Sequence, residues 1–360
     1  MIGIALIIKY SRKICGRLDN YCPTGYSLNM DILTQGIAGA LLAQMVSSRE
    51  HRRYATITGL VAGLLPDMDA AIRSASDPLL TLEFHRQFSH SLLFIPVGAL
   101  IASLILWPFM RKKLPASRLY LFSLLGFSSA GLLDACTSFG TQLLWPFSNE
   151  RIAWNLVAII DPLFTLLILT MVVAFWRSGK KIYPVSGLVF ALTYLLLAFS
   201  QQQAALQIQH ELAQSRKHNA EKSVIKPTLG NIVLWRSVYL HEGRYYVDAI
   251  RPAIFASTRI YTGKSIAAYR LDTRINELAI ASKQNNDILR FHRLSDGFLV
   301  KHPEDENVLG DIRYAMLPNS AEPLWGIRLN PDNLHEHVQE ATFRENNIEI
   351  RRSFFRMVLG

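Results

Sequence analysis

Apolar residues are concentrated before residue 200, in uneven runs. Ser91–Phe109 carries no charge, and Tyr120–Cys136 is broken only by Asp134. Leu156–Trp176 is interrupted only by Asp161, and Ile182–Ser200 is equally apolar. A bilayer core of about 30 Å takes roughly 17–25 helical residues, so these four runs are spanning candidates. Two shorter runs, Ile32–Val46 and Tyr54–Pro66, predict short, tilted or re-entrant helices, or a helical hairpin packed inside the bundle.

The pattern changes at Gln201. QQQAALQIQHELAQSRKHNAEK is rich in good helix formers and predicts a linker helix over 201–226, ended by Pro227. Beyond it, short apolar runs are divided by turn residues. NIVLWRSVYL and YYVDAI flank Gly243, a hairpin signal, and FHRLSDGFLVKH repeats it around Asp296-Gly297. From Asn330 the tail is polar and helix-like, ending in the basic-aromatic RRSFFRMVLG. The expected fold is a multi-pass α-helical membrane domain (30–200) followed by a small β-rich α+β extramembrane domain (227–360). Residues 1–29 stand apart. MIGIALII is too short to span, its positive residues follow the apolar stretch rather than precede it, and Met30 is a plausible start.

Composition sharpens this picture. Half of the 360 residues are apolar and 18% are charged, which excludes a disordered chain. Cys15, Cys22 and Cys136 make neither a disulfide framework nor a structural zinc set. The net charge of +10 would suit a nucleic-acid binder, but its location argues otherwise. Arg49, Arg52 and Arg53, then Arg111, Lys112, Lys113 and Arg118, then Arg177, Lys180 and Lys181 fill alternate loops. That is the positive-inside pattern, so no nucleic-acid partner is expected. It predicts an inner (cytoplasmic) membrane protein with loops 67–90 and 137–155 on the outer, periplasmic face. The extramembrane domain joins them there, provided that both short runs cross together or neither does. Trp107, Trp145, Trp154 and Trp176 suit interface anchoring, and Trp235 and Trp325 suit the core of the outer domain.

Four clusters on the outer face carry candidate chemistry. In GLLPDMDAAIR, Pro66 disfavours helix at Leu65 and turns the chain, so Asp67 and Asp69 can face one cation. In FHRQFSHSLLF, a continuous helix would set His85 and His90 about 140° apart. They converge if His85 precedes a helix starting near His90, with Ser89 as its N-cap. Arg86 and that helix start would favour an anion. In GLLDACTSFG, Asp134 is costly in an apolar run unless paired or liganded, and Thr137 and Ser138 can share its helical face. In IIDPLFTL, Asp161 is either a further carboxylate for the site or an N-cap, and the N-cap is favoured. Asp67, Asp69, His85, His90 and Asp134 form a mixed N/O set suited to zinc, manganese or iron rather than magnesium. His335-Glu336-His337 reads as solvated surface.

MDILTQGIAGALLA, GLLPDMD, FHRQFSHSLLF, LLDACTSFGTQLLWPFS and IIDPLFT, in that order, resemble the membrane-bound metal-dependent hydrolase family. These are the YdjM/YbcI-like, LexA-binding, inner membrane-associated hydrolases, and the resemblance covers about residues 30–200. It implies a multi-pass inner-membrane protein with a metal site at Asp67, Asp69, His85, His90 and Asp134. The chain departs from many members at Gln35, where they have His, and at Ala130, where they also have His.

The expected function is therefore a metal-dependent hydrolase of a phosphoester, with a phospholipid or lipid-linked molecule as substrate. Its cofactor would be a divalent metal, zinc or manganese, which activates a water. Arg86 would steady the anionic substrate, and Asp134 would serve both metal and catalysis. The alternative is a non-enzymatic membrane protein with a structural polar cluster and a partner-binding outer domain.

Overall fold

The computed structural model describes residues 32–74, 76–253, 257–271, 282–344 and 347–360. The reading of residues 1–29, with Cys15 and Cys22, falls outside them. The first part of the chain is a helical bundle of α1 (Ile32–Val46), α2 (Arg52–Leu64), the short α3 (Leu79–Phe84), α4 (Ile95–Met110), α5 (Ala116–Cys136), α6 (Pro162–Ser178) and α7 (Ile182–Ser215). Among the described residues, three helical segments are long and apolar enough to cross a membrane: Leu92–Met110, Ala116–Cys136 and Ile182–Ser215. The shorter α1 and α6 are also apolar.

The short runs form the predicted hairpin, packed inside the bundle. α1 and α2 lie against each other and against α5 through glycines. A Cβ on Gly39 would stand 2.4 Å from the Gly59 carbonyl oxygen, and one on Gly126 only 2.5 Å from it. Small residues let helix backbones approach closely where apolar lipid offers little drive for association. The hairpin leaves the basic loops together at one end. Arg52 Nε donates to Trp176 O, and Lys181 Nζ donates to Met45 O. The acidic and histidine-bearing turns gather at the opposite end.

Helix boundaries differ from the apolar runs where capping overrides hydrophobicity. α6 begins at Pro162, not Leu156. Asp161 accepts from Phe164 N (3.1 Å) and caps the helix, as favoured from sequence. α4 is preceded by two short 3₁₀ turns, Phe88–His90 and Leu92–Phe94. The cap there is Ser91, whose Oγ accepts from Phe94 N; Ser89 is engaged with Asp69 instead, which corrects the sequence expectation. Pro66 tightens the chain into a 3₁₀ turn over Pro66–Ala71, while Leu65 itself keeps helical angles (φ −63°, ψ −38°).

The last spanning segment and the expected linker are one helix. α7 has 34 residues, and at 1.5 Å per residue it is about 51 Å long, well beyond the hydrocarbon core. Its good helix formers carry it on until Ser215. It does not reach 226, because Lys222–Pro227 is already strand β1. The sheet then uses the helix as a spine: Gln209 Nε2 donates to Ser237 Oγ (2.8 Å) and Val238 O.

Among the described residues, the second part holds two four-stranded antiparallel sheets. The first is β1 to β4 in order, with β2 (Trp235–His241), β3 (Arg244–Arg251) and β4 (Arg259–Ala267). The second is β5 (Leu299–His302), β6 (Asp305–Asp311), β7 (Trp325–Arg328) and β8 (Gln339–Thr342). Glu242-Gly243 (φ +46° and +72°) close the β2–β3 hairpin with the backbone twist of a type I′ turn. Asp296-Gly297 share that conformation but join helix α8 (Lys283–Leu294) to β5, so the second expected hairpin is a helix-to-strand turn. The tail supplies β8 before its helix, α9 (Ile348–Leu359). Trp235 and Trp325 are core residues, as expected.

The two parts are packed together. Leu79 and Leu82 of α3 enter the core of the second sheet with Ile288, Phe291, Leu299 and Trp325. Arg290 on α8 pairs with Asp77 and Glu83 of the helical part and with Asp287 beside it. His337 Nδ1 sits 2.9 Å from Asp287 Oδ2, so it is a half-buried member of this network and not solvated surface.

Candidate metal centre

The site is assembled by four local structures at one end of the bundle. The 3₁₀ turn after α2 turns Asp67 and Asp69 inward and leaves Met68 between them exposed. α3 stops at His85, which is extended, and the next residue, Arg86, takes φ +61°. That left-handed backbone is costly for a residue with a Cβ, by about 1–3 kcal/mol, and it is held by the Arg86 N–H donating to Asp69 Oδ2 (2.9 Å). The reversal brings His90, in the following 3₁₀ turn, to His85, with ring centroids 6.1 Å apart. Asp134 arrives on the last turn of α5. All six of Asp67, Asp69, His85, Arg86, His90 and Asp134 are buried.

Their roles separate by what their polar atoms touch. Asp69 is saturated by protein: Oδ1 pairs with His85 Nδ1 (2.7 Å), and Oδ2 accepts from Arg86 N and Ser89 Oγ. Burial alone would raise its carboxyl, but hydrogen bonds and charge from His85 and His90 overcome this and hold it well below the ordinary carboxylate range. Burial likewise opposes charge on His90. The carboxylates of Asp134, Asp67 and Asp69 around it win, and its imidazole is held well above its ordinary range. Arg86 is fully buried, with Nε 2.9 Å from Asp134 Oδ2 and an N–H donated to Thr137 Oγ1 (3.0 Å). Gln35 Nε2 donates to Asp134 Oδ1 (2.9 Å), so this position anchors the carboxylate through an amide.

A second set of atoms is left over. Both oxygens of Asp67, His85 Nε2, His90 Nε2 and Asp134 Oδ2 are buried without an aligned hydrogen bond. His90 Nε2 stands 3.1 Å from Asp134 Oδ2 and 3.4 Å from Asp67 Oδ1. Ligand atoms of Asp67, His90 and Asp134 lie within 4.8 Å of one another, as do those of Asp67, Asp69 and His85. Buried polar atoms are normally paired, so convergent orphans of this donor type fit a divalent cation. The His85–Asp69 pair has the form of the carboxylate–histidine support found behind metal ligands.

These helices have known relatives. Residues 30–205 match the family model described as YdjM inner membrane protein. That stretch of the chain is similar to the YdjM inner membrane protein family. The YdjM-family region contains every helix of the bundle down to the first turns of α7 beyond the membrane length, together with all six clustered residues. Over 228 residues the chain is also 26% identical to YfhP of Bacillus subtilis strain 168, an uncharacterized protein. The alignment covers 62% of this chain and 67% of YfhP. No solved structure gives a significant match. The family name and the apolar helices together make this an inner membrane protein.

Some site features were invisible in the YdjM-family motifs. Asp161 is not in the cluster; it caps α6 and accepts from Tyr194 Oη (2.6 Å). Phe139 contacts both the Arg86 and Arg151 guanidiniums, each 5.4 Å from its ring centroid. Arg151 in turn donates to the carbonyls of Leu82, Glu83, His85 and Gly140, fixing the segment that presents His85. The charge of Arg151 beside so many turn residues was the one available signal. Ala130 is buried one helical turn before Asp134 and adds no ligand.

Proposed function

We propose that this chain is a metal-dependent hydrolase of the inner membrane, acting on a phosphoester carried by a lipid or lipid-linked molecule. The observation that carries the reading is the set of buried atoms without an aligned hydrogen bond on Asp67, His85, His90 and Asp134. These four residues would hold the ion, and two nitrogens with two carboxylates suit zinc or manganese. A divalent ion bound there supplies Lewis acidity, lowering the pKa of a water and polarising a phosphoryl oxygen. Asp69 is a positioning residue: it orients His85 through Nδ1 and ties down Arg86 N and Ser89. Arg86 acts on Asp134 through Nε, and its Nη2, which has no hydrogen-bond partner, is the group that faces an anionic substrate in this scheme. The positive-inside distribution favours a site on the periplasmic side, with the extramembrane domain beside it.

The alternative, a structural polar cluster in a non-enzymatic protein, draws support from the closed Arg86–Asp134–Gln35–Thr137 network. Elemental analysis of the detergent-purified protein separates the two. Near-stoichiometric zinc or manganese, lost in Asp67→Ala and His90→Ala, is the expected result. Absence of metal after reconstitution with both ions refutes the hydrolase reading.

A further inference from the structure

Where the helical bundle meets the two sheets there is a cavity of about 1100 Å³. It is lined from the bundle side by Ser138, Phe139 and Arg151, and from the sheet side by Lys226, Arg293 and their neighbours. Its cations fall into two groups. Lys222 is neutralised by Asp296, Arg313 by Asp311, and Arg290 by Asp77, Glu83 and Asp287. Lys226, Arg151 and Arg293 have no carboxylate at ion-pair distance among the described residues, against one unpaired acid, Glu150, on the wall. The cavity therefore carries excess positive charge.

Lys226 is the most telling of these. It is 4% exposed and sits on strand β1 with Nζ donating to Ser138 O (3.0 Å) and lying 3.8 Å from the centre of the Tyr314 ring. A buried ammonium without a counter-ion is costly, and burial accordingly holds Lys226 well below its ordinary range. Beside it Ser138 Oγ is buried and makes no hydrogen bond. A buried cation and an idle buried hydroxyl on the wall of one cavity are what a bound anion would satisfy together.

We propose that this cavity binds a phosphorylated anion. Lys226, Arg151 and Arg293 supply the charge, Ser138 Oγ donates a hydrogen bond, and Phe139, Tyr245 and Phe298 wall the organic portion. Several cations and a free hydroxyl lining one cavity suit a multiply charged phosphoryl group better than a carboxylate. The volume exceeds that of phosphate alone, so the natural ligand bears an organic moiety: either a lipid headgroup or a soluble phosphate ester. The cavity lining includes none of the residues of the metal cluster, and the proposal does not depend on the hydrolase reading.

The test uses full-length, chelator-treated protein in nanodiscs of phosphatidylcholine, titrated with inorganic phosphate and with glycerol 3-phosphate. A parallel sample in nanodiscs containing phosphatidylglycerol receives no soluble phosphate. Binding is read by calorimetry and by the shift in Tm. The expected result is a saturable stabilisation, weakened by about tenfold in apparent Kd in Lys226→Met and in Arg293→Gln, and retained in Asp67→Asn. Stabilisation by the soluble probes identifies a soluble ester, and stabilisation by phosphatidylglycerol alone identifies a headgroup. Arg293 is exposed at the rim, so its variant keeps the fold whatever Lys226→Met does. The proposal is overturned if no probe shifts the wild type, or if both variants respond as the wild type does. Retention in Asp67→Asn distinguishes this site from the metal centre: a failed metal assay leaves the phosphate result standing.

Discussion

Asp67 should destabilise this protein when no ion is bound. The cluster contains three carboxylates, Asp67, Asp69 and Asp134, against the Arg86 guanidinium and a protonated His90. Arg86 pairs with Asp134 and His85 with Asp69 at 2.9 and 2.7 Å, whereas Asp67 has only His90 Nε2 at 3.4 Å. Neither oxygen of Asp67 has a hydrogen bond, whereas Asp69 has partners on both. An unsatisfied buried polar group costs about 1–3 kcal/mol, and more when charged. Asp67→Asn removes this poorly served buried charge with no loss of aligned hydrogen bonds. In chelator it should stabilise the protein by about 2 kcal/mol, a rise of several degrees in Tm. Asp69→Asn should do the reverse, losing about 2–3 kcal/mol with its charge-assisted bonds. With zinc or manganese added, wild type should gain stability and Asp67→Asn should gain none, because a ligand is lost. The assay is thermal unfolding in detergent with and without ion. If Asp67→Asn is the less stable protein in chelator, or responds to the ion as wild type does, the assignment of Asp67 as ligand and Asp69 as support is wrong.

Three further outcomes follow from the same geometry. Gly126→Ala places a methyl 2.5 Å from the Gly59 carbonyl oxygen and should cost about 1–3 kcal/mol in denaturant unfolding; an unchanged midpoint would contradict the close helix packing. Ion uptake should release a proton, because His90 is held above its ordinary value of 6.5 and must lose its proton for Nε2 to serve as a ligand. Affinity should therefore fall as pH falls through that raised range, and equal calorimetric affinity at about pH 6 and about pH 8 would refute it. Arg290→Met leaves the buried Asp287 carboxylate with only His337 and the Val338 N–H and should cost about 3 kcal/mol, read as faster hydrogen exchange in Leu79–Phe84 and Lys283–Leu294; unchanged exchange would show that the two parts are held without this network.

Much of this was legible in the order of residues. Apolar runs are a local property, and a bilayer fixes the length that a spanning helix needs, so the helical bundle follows from pattern alone. Asp161-Pro162 marked a helix start because capping is a matter of four adjacent residues. Other features depend on what lies far along the chain. Ser89 is an acceptable N-cap by type, yet Asp69, twenty residues earlier, claims its hydroxyl. His335 and His337 look alike in sequence, and only the buried Asp287 makes His337 part of a network. Asp296-Gly297 has hairpin residues, but α8 precedes it because the face of Ile288 and Phe291 is buried against Leu79 and Leu82. The sequence by itself singled out the polar residues that the fold brings together and showed that the chain belongs at a membrane. Tertiary structure alone decided which carboxylate supports and which is left without a hydrogen bond, and that a buried lysine lines a cavity between the two parts. Hydrogen-bond partners and counter-ions come from segments up to hundreds of residues apart, and no local pattern encodes them.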